Sequence, residues 1–373
     1  MNQMRILITG GGIAGSFAAL LLGRDGHEVH VIEKRVLNPE NITAQGRTGN
    51  FTLSERGRQS LKFAGLLDKV MEYALPLRGR LVHLPYSPFA LPSPYGALQE
   101  DCLHSISRTH LHMILLEEAS ATPGVTYHFG HELADVDPFK KEARITSPEG
   151  EWSMNYDLFI GSDGVHSVTR GMLVERGLVK VDFLPSEWCY AEESSEQSVS
   201  LEQREYLHVW PQSDGVVCGL PMLDGTLRLN YLFRKGTWPI RQFAQVHRIT
   251  RLKVDPWFVG DATVLIGDAA HSMSPFLGQG MNMALEDAAV LVLKIRQAGR
   301  VGAEVLKEFQ DARQKIANAL IELSEEHSVT LARKLRNPVF IAKQHLHAAA
   351  RRRFPAFFDV TAYNAWTRGS LAN

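Results

Sequence analysis

The sequence predicts an α/β fold: a Rossmann-like nucleotide-binding domain, an inserted antiparallel β-sheet lobe and a long helical region towards the C-terminal end. Three observations predict it. The apolar run Arg5–Thr9 leads into glycines 10, 11 and 12 and then into the apolar-periodic stretch 13–22. The middle of the chain, 177–233, is rich in short strand-like runs joined by Asp/Gly turns. A buried-type strand then returns at 263–266, and long helical spacing starts at Gly280.

Each element can be justified in order. Glu28-Val-His-Val-Ile32 is a second strand pattern and completes a β-α-β unit. Ser54 suits an N-cap for a helix running to Leu67, with Leu61, Ala64 and Leu67 on its apolar face. Prolines at 76, 85, 88, 92 and 94 make 73–100 a region of strands and loops. Helical spacing resumes over 108–119 through Leu111, Ile114 and Leu115. The stretches 125–137 and 143–147 read as meander or edge strands, and 157–160 as a buried strand. Helices follow over 280–298 and 303–335. The second repeats Leu306, Phe309, Arg313, Ile316, Leu320, Leu323, His327 and Leu331 at three- and four-residue steps. The expected division is a discontinuous nucleotide-binding domain (1–72, 102–170 and 255–325), a substrate lobe (73–101 and 171–254) and a C-terminal helical region (326–373).

Composition narrows the classes of function. The 373 residues, 45% of them hydrophobic, suffice for a packed core and a second lobe. A net charge of -1 argues against a nucleic-acid partner. Cys102, Cys189 and Cys218 are scattered and form no C-x-x-C pair, and the fifteen histidines lack ligand spacing, so neither a disulfide framework nor a metal site is expected. No run approaches the roughly 18 apolar residues of a span, and no leader pattern opens the chain. The expectation is a cytoplasmic protein without a membrane anchor, monomeric or a weak homodimer.

The motif Gly10-x-Gly12-x-x-Gly15 sits at a strand-to-helix junction. There the first glycine permits the turn, the second admits a pyrophosphate to the backbone, and the third lets helix and strand pack closely. The phosphate charge then meets a helix N-terminus. Glu33 closes the next strand and can accept bonds from ribose hydroxyls. A carboxylate there disfavours a 2'-phosphate, which suits FAD or NAD better than bound NADP.

Two further motifs follow strands. One is Gly161-Ser-Asp163-Gly164-x-His166. The other is Gly267-Asp268-Ala-Ala-His271-Ser-x-x-Pro275-Phe276-x-Gly278-Gln279-Gly280-Met281-Asn282. Nearer the N-terminus stand Gly46-Arg47-Thr-x-Asn50-x-x-Leu53-Ser54-x-Arg56-Gly57, Gly79-Arg80-x-x-His83 and Pro94-Tyr95-Gly96; Leu207-His-Val-Trp-Pro211 lies in the strand-rich middle. On these residues the chain resembles the single-component FAD-dependent aromatic hydroxylases. More narrowly it is similar to kynurenine 3-monooxygenase and its relatives in tryptophan- and indole-derived pathways. The resemblance runs over nearly the whole chain.

The resemblance implies non-covalent FAD, with NADPH or NADH as a transient reductant. It implies O2 as co-substrate and hydroxylation of a small aromatic molecule through a flavin C4a-hydroperoxide. Cofactor contacts are expected from Gly10, Gly12, Ile13, Ala14 and Gly15, and from Glu33, Lys34, Arg35, Arg47 and Arg108. Asp163 and Gly164 stand near the pyrophosphate in such proteins. Gly267 and Asp268 lie by the ribityl chain. Backbone N–H groups at Gly278, Gln279, Gly280, Met281 and Asn282 face the flavin, where a helix start stabilises negative charge. Pro275 and Phe276 form an apolar wall beside the ring. Arg80 and Tyr95 match the pair that holds the substrate carboxylate, against the plainer alternative of a surface arginine and a packed tyrosine. His271 is expected to be structural or to stand on the cofactor side, and not to act as a base.

The chain departs from the pattern in places. Glu326 and His327 occupy the positions of an Asn-Tyr pair, the stretch 233–261 is short, and an apolar C-terminal anchor is missing. These departures favour a related aromatic amino acid or indole derivative over kynurenine itself. The alternatives are a same-fold flavoenzyme performing epoxidation or oxidative decarboxylation, and a non-catalytic FAD-binding redox protein.

Overall fold

The computed structural model describes residues 2–36, 49–95, 102–195, 198–237, 243 and 245–353. Arg47, Gly46, Gly96 and the tail from residue 354 lie outside the described residues. The α-helices are α1 (Ile13–Arg24), α2 (Glu55–Phe63), α3 (Leu67–Met71), α4 (Arg108–Ser120), α5 (Val168–Glu175), α6 (Gly280–Ala298), α7 (Ala303–Ala332) and α8 (Pro338–Arg353).

A six-stranded sheet carries the nucleotide-binding motifs. Its order is Phe258–Val259, Thr263–Leu265, Leu158–Gly161, Arg5–Thr9, Glu28–Glu33 and Val125–Phe129. All neighbours are parallel except the first pair. Parallel strands are covered on both faces and are therefore apolar throughout; Ile6, Leu7 and Ile8 are all fully buried. Helix α1 packs against α4 and α6. This explains why it is buried from Ala14 to Gly23 and shows no polar face. Truncating Leu20 to Ala at such a site costs about 2–5 kcal/mol.

A seven-stranded sheet forms the second layer. Its order is His247–Arg248, Trp188–Ser195, Leu227–Arg234, Gly215–Pro221, Tyr206–Pro211, Gly79–His83 and Ala90–Pro94. It is antiparallel except where Gly79–His83 runs parallel to Tyr206–Pro211. Register places Arg80 beside Leu207, Cys218 beside Asn230, and Leu232 beside Tyr190. Side chains alternate between faces with period two, so these residues share one face.

Three smaller sheets complete the strands. One is the meander Glu132–Asp137, Glu142–Ser147 and Gly150–Asn155. Another pairs Leu103–Ser107 with Asn50–Leu53 and Ala74–Leu77. The third joins Lys180–Leu184, Arg251–Asp255 and His271–Ser272.

The helix expected over 54–67 is two helices. It stops at Ala64 because Gly65 takes a left-handed φ of 67°, and Leu67 opens α3. The helix expected to reach residue 335 ends at Ala332, followed by a 3-10 turn at Lys334–Arg336. α7 crosses residues 325 and 326 without a break. Among the described residues no helix is long and apolar enough to cross a membrane, and no group of His, Cys, Asp or Glu could hold a metal ion.

Candidate active site

The three glycines of the first turn meet three different constraints. Gly10 has φ 90°, and a Cβ there would lie 2.7 Å from the Asp163 Cα. A Cβ on Gly15 would come within 1.9 Å of the Gly10 carbonyl oxygen. A Cβ on Gly12 would meet nothing within 4 Å, so this glycine borders open space. Gly12 is also the N-cap of α1 and offers no side-chain cap, which leaves first-turn N–H groups for another acceptor.

Glu33 ends its strand buried, 4% exposed. Its Oε2 accepts the Gly11 N–H at 2.9 Å, and its Oε1 accepts from the Arg35 N–H and Nε at 2.9 and 2.8 Å. Burial alone would raise this carboxyl, but the bonds from Arg35 and Gly11 hold it below its ordinary value. Lys34 is exposed. Arg108 opens α4 with its guanidinium 5.5 Å from the Phe51 ring centre. One helical turn on, His112 donates from Nε2 to the Gly11 carbonyl at 2.6 Å. This fixes the glycine turn from behind, and sequence reading missed it because a lone histidine in an amphipathic stretch carries no signal.

In the second motif, Asp163 accepts the Thr169 N–H at 2.9 Å and the Ser167 hydroxyl, anchoring the turn that Gly164 (φ 83°) makes before α5. Arg170 ties this motif to the third. It donates to the Ala269 carbonyl at 3.0 Å and the Val165 carbonyl at 2.6 Å.

In the third motif, a Cβ on Gly267 would stand 3.4 Å from Ala284 and 3.5 Å from Ala14. The Gly-Asp turn therefore lies between the starts of α1 and α6. Asp268 is exposed while its neighbours Gly267 and Ala269 are buried, and its Oδ1 lies 3.9 Å from where a Gly280 Cβ would be. Helix α6 also begins without a side-chain cap. Two uncapped helix starts flanking an exposed carboxylate, with open space at Gly12, suit an extended ligand with phosphates and hydroxyls. These residues fit a flavin dinucleotide.

Gln279 and Asn282 direct their side chains inward. Asn282 donates to the Thr52 and Gly278 carbonyls, both at 2.8 Å, and accepts the Ser54 N–H at 2.9 Å. Gln279 accepts from the Ser54 hydroxyl at 3.3 Å, and Met281 is buried.

Behind this turn lies a buried ionic cluster. Asp287 accepts the Gly267 N–H at 3.0 Å, His271 Nε2–H at 2.6 Å and Arg313 Nε–H at 2.9 Å. Glu286 pairs with both Arg56 and Arg313. Burial works against the Asp287 charge, yet His271 and Arg313 outweigh it and hold the carboxyl down at about 2. Arg313 sits on the apolar stripe that the spacing of α7 predicts; its partners, one helix away, supply the charge that the stripe does not reveal.

The layers enclose a cavity of about 120 Å³. One wall is the face of the seven-stranded sheet carrying Arg80, Leu207, Cys218, Leu220, Asn230, Leu232 and Tyr190. Facing it are Asn50, Phe51 and Thr52, the turn from Pro275 to Gly278, and Leu331 of α7. Arg80 is 5% exposed and its guanidinium lies 4.6 Å from the Tyr95 ring centre. Its Nη2 donates to His327 Nε2 at 3.2 Å. A guanidinium only donates, so His327 is neutral with its proton on Nδ1. Burial, reinforced by Arg80, pushes the His327 pKa down to about 3. Phe276 packs edge-on against Trp188 at 4.8 Å, and Gly278 turns at φ 64° against Thr52. Arg80, Tyr95, Pro275, Phe276 and Gly278, far apart in sequence, thus line one space. Asn50, Tyr190 and Asn230 add polar groups there that residue patterns did not single out as site residues, because register unites Tyr190 and Asn230 within one sheet and the packing of a second sheet brings Asn50 to them.

A fold and site of this kind define a flavin-dependent monooxygenase. The chain belongs to the FAD binding domain family, whose pattern matches residues 3–228 and 229–324. It is similar to kynurenine 3-monooxygenase of Salinispora arenicola (strain CNS-205), with 33% identity over 364 residues, 87% of this chain and 79% of that protein. Two solved structures share the fold. A probable FAD-dependent monooxygenase from Pseudomonas aeruginosa superposes with a TM-score of 0.73 at 20% identity, over 92% of this chain and 100% of that one. p-Nitrophenol 4-monooxygenase from Pseudomonas putida DLL-E4 superposes with a TM-score of 0.79 at 16% identity, over 99% and 100%. The chain is an FAD-binding monooxygenase of the kynurenine 3-monooxygenase and aromatic-hydroxylase type.

Proposed function

We propose that the enzyme uses NAD(P)H and O2 to hydroxylate an aromatic substrate that carries a carboxylate, related to kynurenine, tryptophan or indole. The observation that carries this reading is the buried Arg80 in the wall of the cavity that the Pro275–Gly278 turn also lines. A planar guanidinium matches a carboxylate fork. Stacking on Tyr95 and the bond to His327 keep that fork in one orientation.

FAD, when bound, supplies the O2-activating redox chemistry. The pyrophosphate would rest on the turn of Gly10, Gly12 and Gly15 and the first residues of α1, Ile13 and Ala14. The ribose would meet Glu33, beside Lys34 and Arg35; the ribityl chain would meet Gly267 and Asp268. The flavin end would face the N–H groups that open α6. Asp163 with Gly164, and Arg108, would border the groove; Arg47 belongs to the same proposed set. The apolar side chains of Pro275, Phe276, Leu220 and Leu232 would orient the ring and keep water away. NADPH would bind transiently at the surface.

The test is nicotinamide oxidation with a panel containing kynurenine, tryptophan, hydroxylated indoles and anthranilate. The expected result is faster NADPH than NADH consumption, stimulated by kynurenine or anthranilate, with a product one oxygen atom heavier. Oxidation that ignores every aromatic acid and yields only hydrogen peroxide would overturn the proposal.

A further inference from the structure

Backbone polar groups in a turn each need a partner, and in the first glycine turn nearly all have one. The Gly10 N–H donates to the Ile32 carbonyl at 2.8 Å, and the Gly10 carbonyl accepts the Ser162 hydroxyl at 3.1 Å. The Gly11 N–H donates to Glu33 at 2.9 Å. The Gly11 carbonyl accepts His112 Nε2–H at 2.6 Å and the Ser16 hydroxyl at 3.1 Å. The Gly12 carbonyl accepts the Ser16 N–H at 2.8 Å. Of the polar groups of these three glycines, the Gly12 N–H is the one without an acceptor among the described residues.

A trans peptide is planar, and its C=O and N–H point in opposite directions. The Gly11 carbonyl and the Gly12 N–H belong to one such plane. With the oxygen fixed to His112 of α4, the N–H is turned away from α4. Glycine makes that plane easy to turn over. Reversal would carry the Gly12 φ from −77° to positive values that glycine readily adopts, and would put a carbonyl oxygen where the N–H stood. An anion is attracted by the first arrangement and repelled by the second. Burial holds the His112 pKa below its ordinary value, and a carbonyl only accepts, so the ring is neutral with its proton on Nε2.

We propose that His112 is a positioning residue for the cofactor: its Nε2–H holds the Gly11–Gly12 peptide in the orientation that offers the Gly12 N–H to the FAD pyrophosphate. The inference rests on the placement of the pyrophosphate proposed above and adds the side chain, on another helix, that makes the turn ready to receive it. The gain is one of preorganisation. A turn already set leaves none of the binding energy to be spent on reversing a peptide.

Two measurements on the holoenzyme and its variants test this: FAD released on serial dilution, followed by fluorescence, and the phosphorus NMR spectrum of the bound cofactor. His112→Leu fills similar space without a donor. It should weaken FAD binding about 2- to 12-fold, the worth of one hydrogen bond, and should shift a pyrophosphate resonance towards its position in free FAD. His112→Gln presents an amide N–H at similar reach and should restore both. His112→Met replaces His112→Leu if that chain does not fold. Unchanged affinity and spectrum in His112→Leu overturn the inference. So does a His112→Gln variant no better than His112→Leu, because a packing role responds to shape and not to the donor. Gly12→Ala reports on the placement separately. The Gly12 φ suits alanine and a Cβ there would enter open space, so a variant that binds FAD as tightly as wild type would put the pyrophosphate elsewhere and sink the placement instead.

Discussion

Arg80 shows how a residue acquires a role from its surroundings. A guanidinium carries hydrogen-bond donors only; binding is the contribution left to it. Charge-assisted hydrogen bonds are worth about 1.5–3 kcal/mol. Arg80→Ala should therefore weaken substrate binding about 10- to 150-fold while FAD content holds. Arg80→Lys should recover only part, because an ammonium lacks the fork. Flavin-spectrum titration of both variants decides this. A decarboxylated analogue penalised equally in wild type and Arg80→Ala would move the carboxylate elsewhere. His327, with its pKa near 3, stays neutral above pH 5 and should add no inflection to the pH profile of binding. Arg80, Tyr95, Pro275 and Phe276 were legible because motifs carry them. Asn50, Asn230 and Tyr190 were not legible as a polar pole, since their meeting depends on how two sheets face each other.

Among the elements, α6 connects the Gly267–Asp268 turn to the core. Its Glu286 and Asp287 are fully buried and answered by Arg56 of α2 and Arg313 of α7. Removing one member leaves a buried charge unpaired, so Asp287→Ala should cost about 3–5 kcal/mol, measurable by chemical denaturation. Because Asp287 also holds the Gly267 N–H, FAD affinity should fall with it. The sign of the pH effect follows from the lowered carboxyl, about 2 against an ordinary 3.8. Its stabilisation is complete above pH 4 and is lost as pH falls towards 2. Denaturation midpoints of wild type and Asp287→Asn should therefore converge in that window; a gap that stays constant there would refute the assignment. The strands and helices themselves were readable from period and turn residues. The break at Gly65 was not, because a glycine within an apolar stripe reads equally well as a tolerated helical position.

At the scale of the molecule, backbone amides, glycine turns and an exposed carboxylate would make up the proposed cofactor groove, and among the described residues no His or Cys stands in an evident attachment context. Denaturation should release FAD intact into the supernatant; flavin remaining with the precipitated chain would contradict this. The same architecture has a consequence for synthesis. The strand Arg5–Thr9 emerges first, yet it lies beside Leu158–Gly161, which in turn lies beside Thr263–Leu265. Arg313 leaves the ribosome later still, after the two carboxylates it neutralises. A nascent chain must therefore hold its first strand paired on one side only until residue 161 has emerged, and must leave Glu286 and Asp287 without Arg313 until α7 arrives. Completion of the central sheet and its ionic cluster is thus a late event in synthesis, and partly built chains of this kind expose apolar surface, so yield should rise when chaperones are co-expressed.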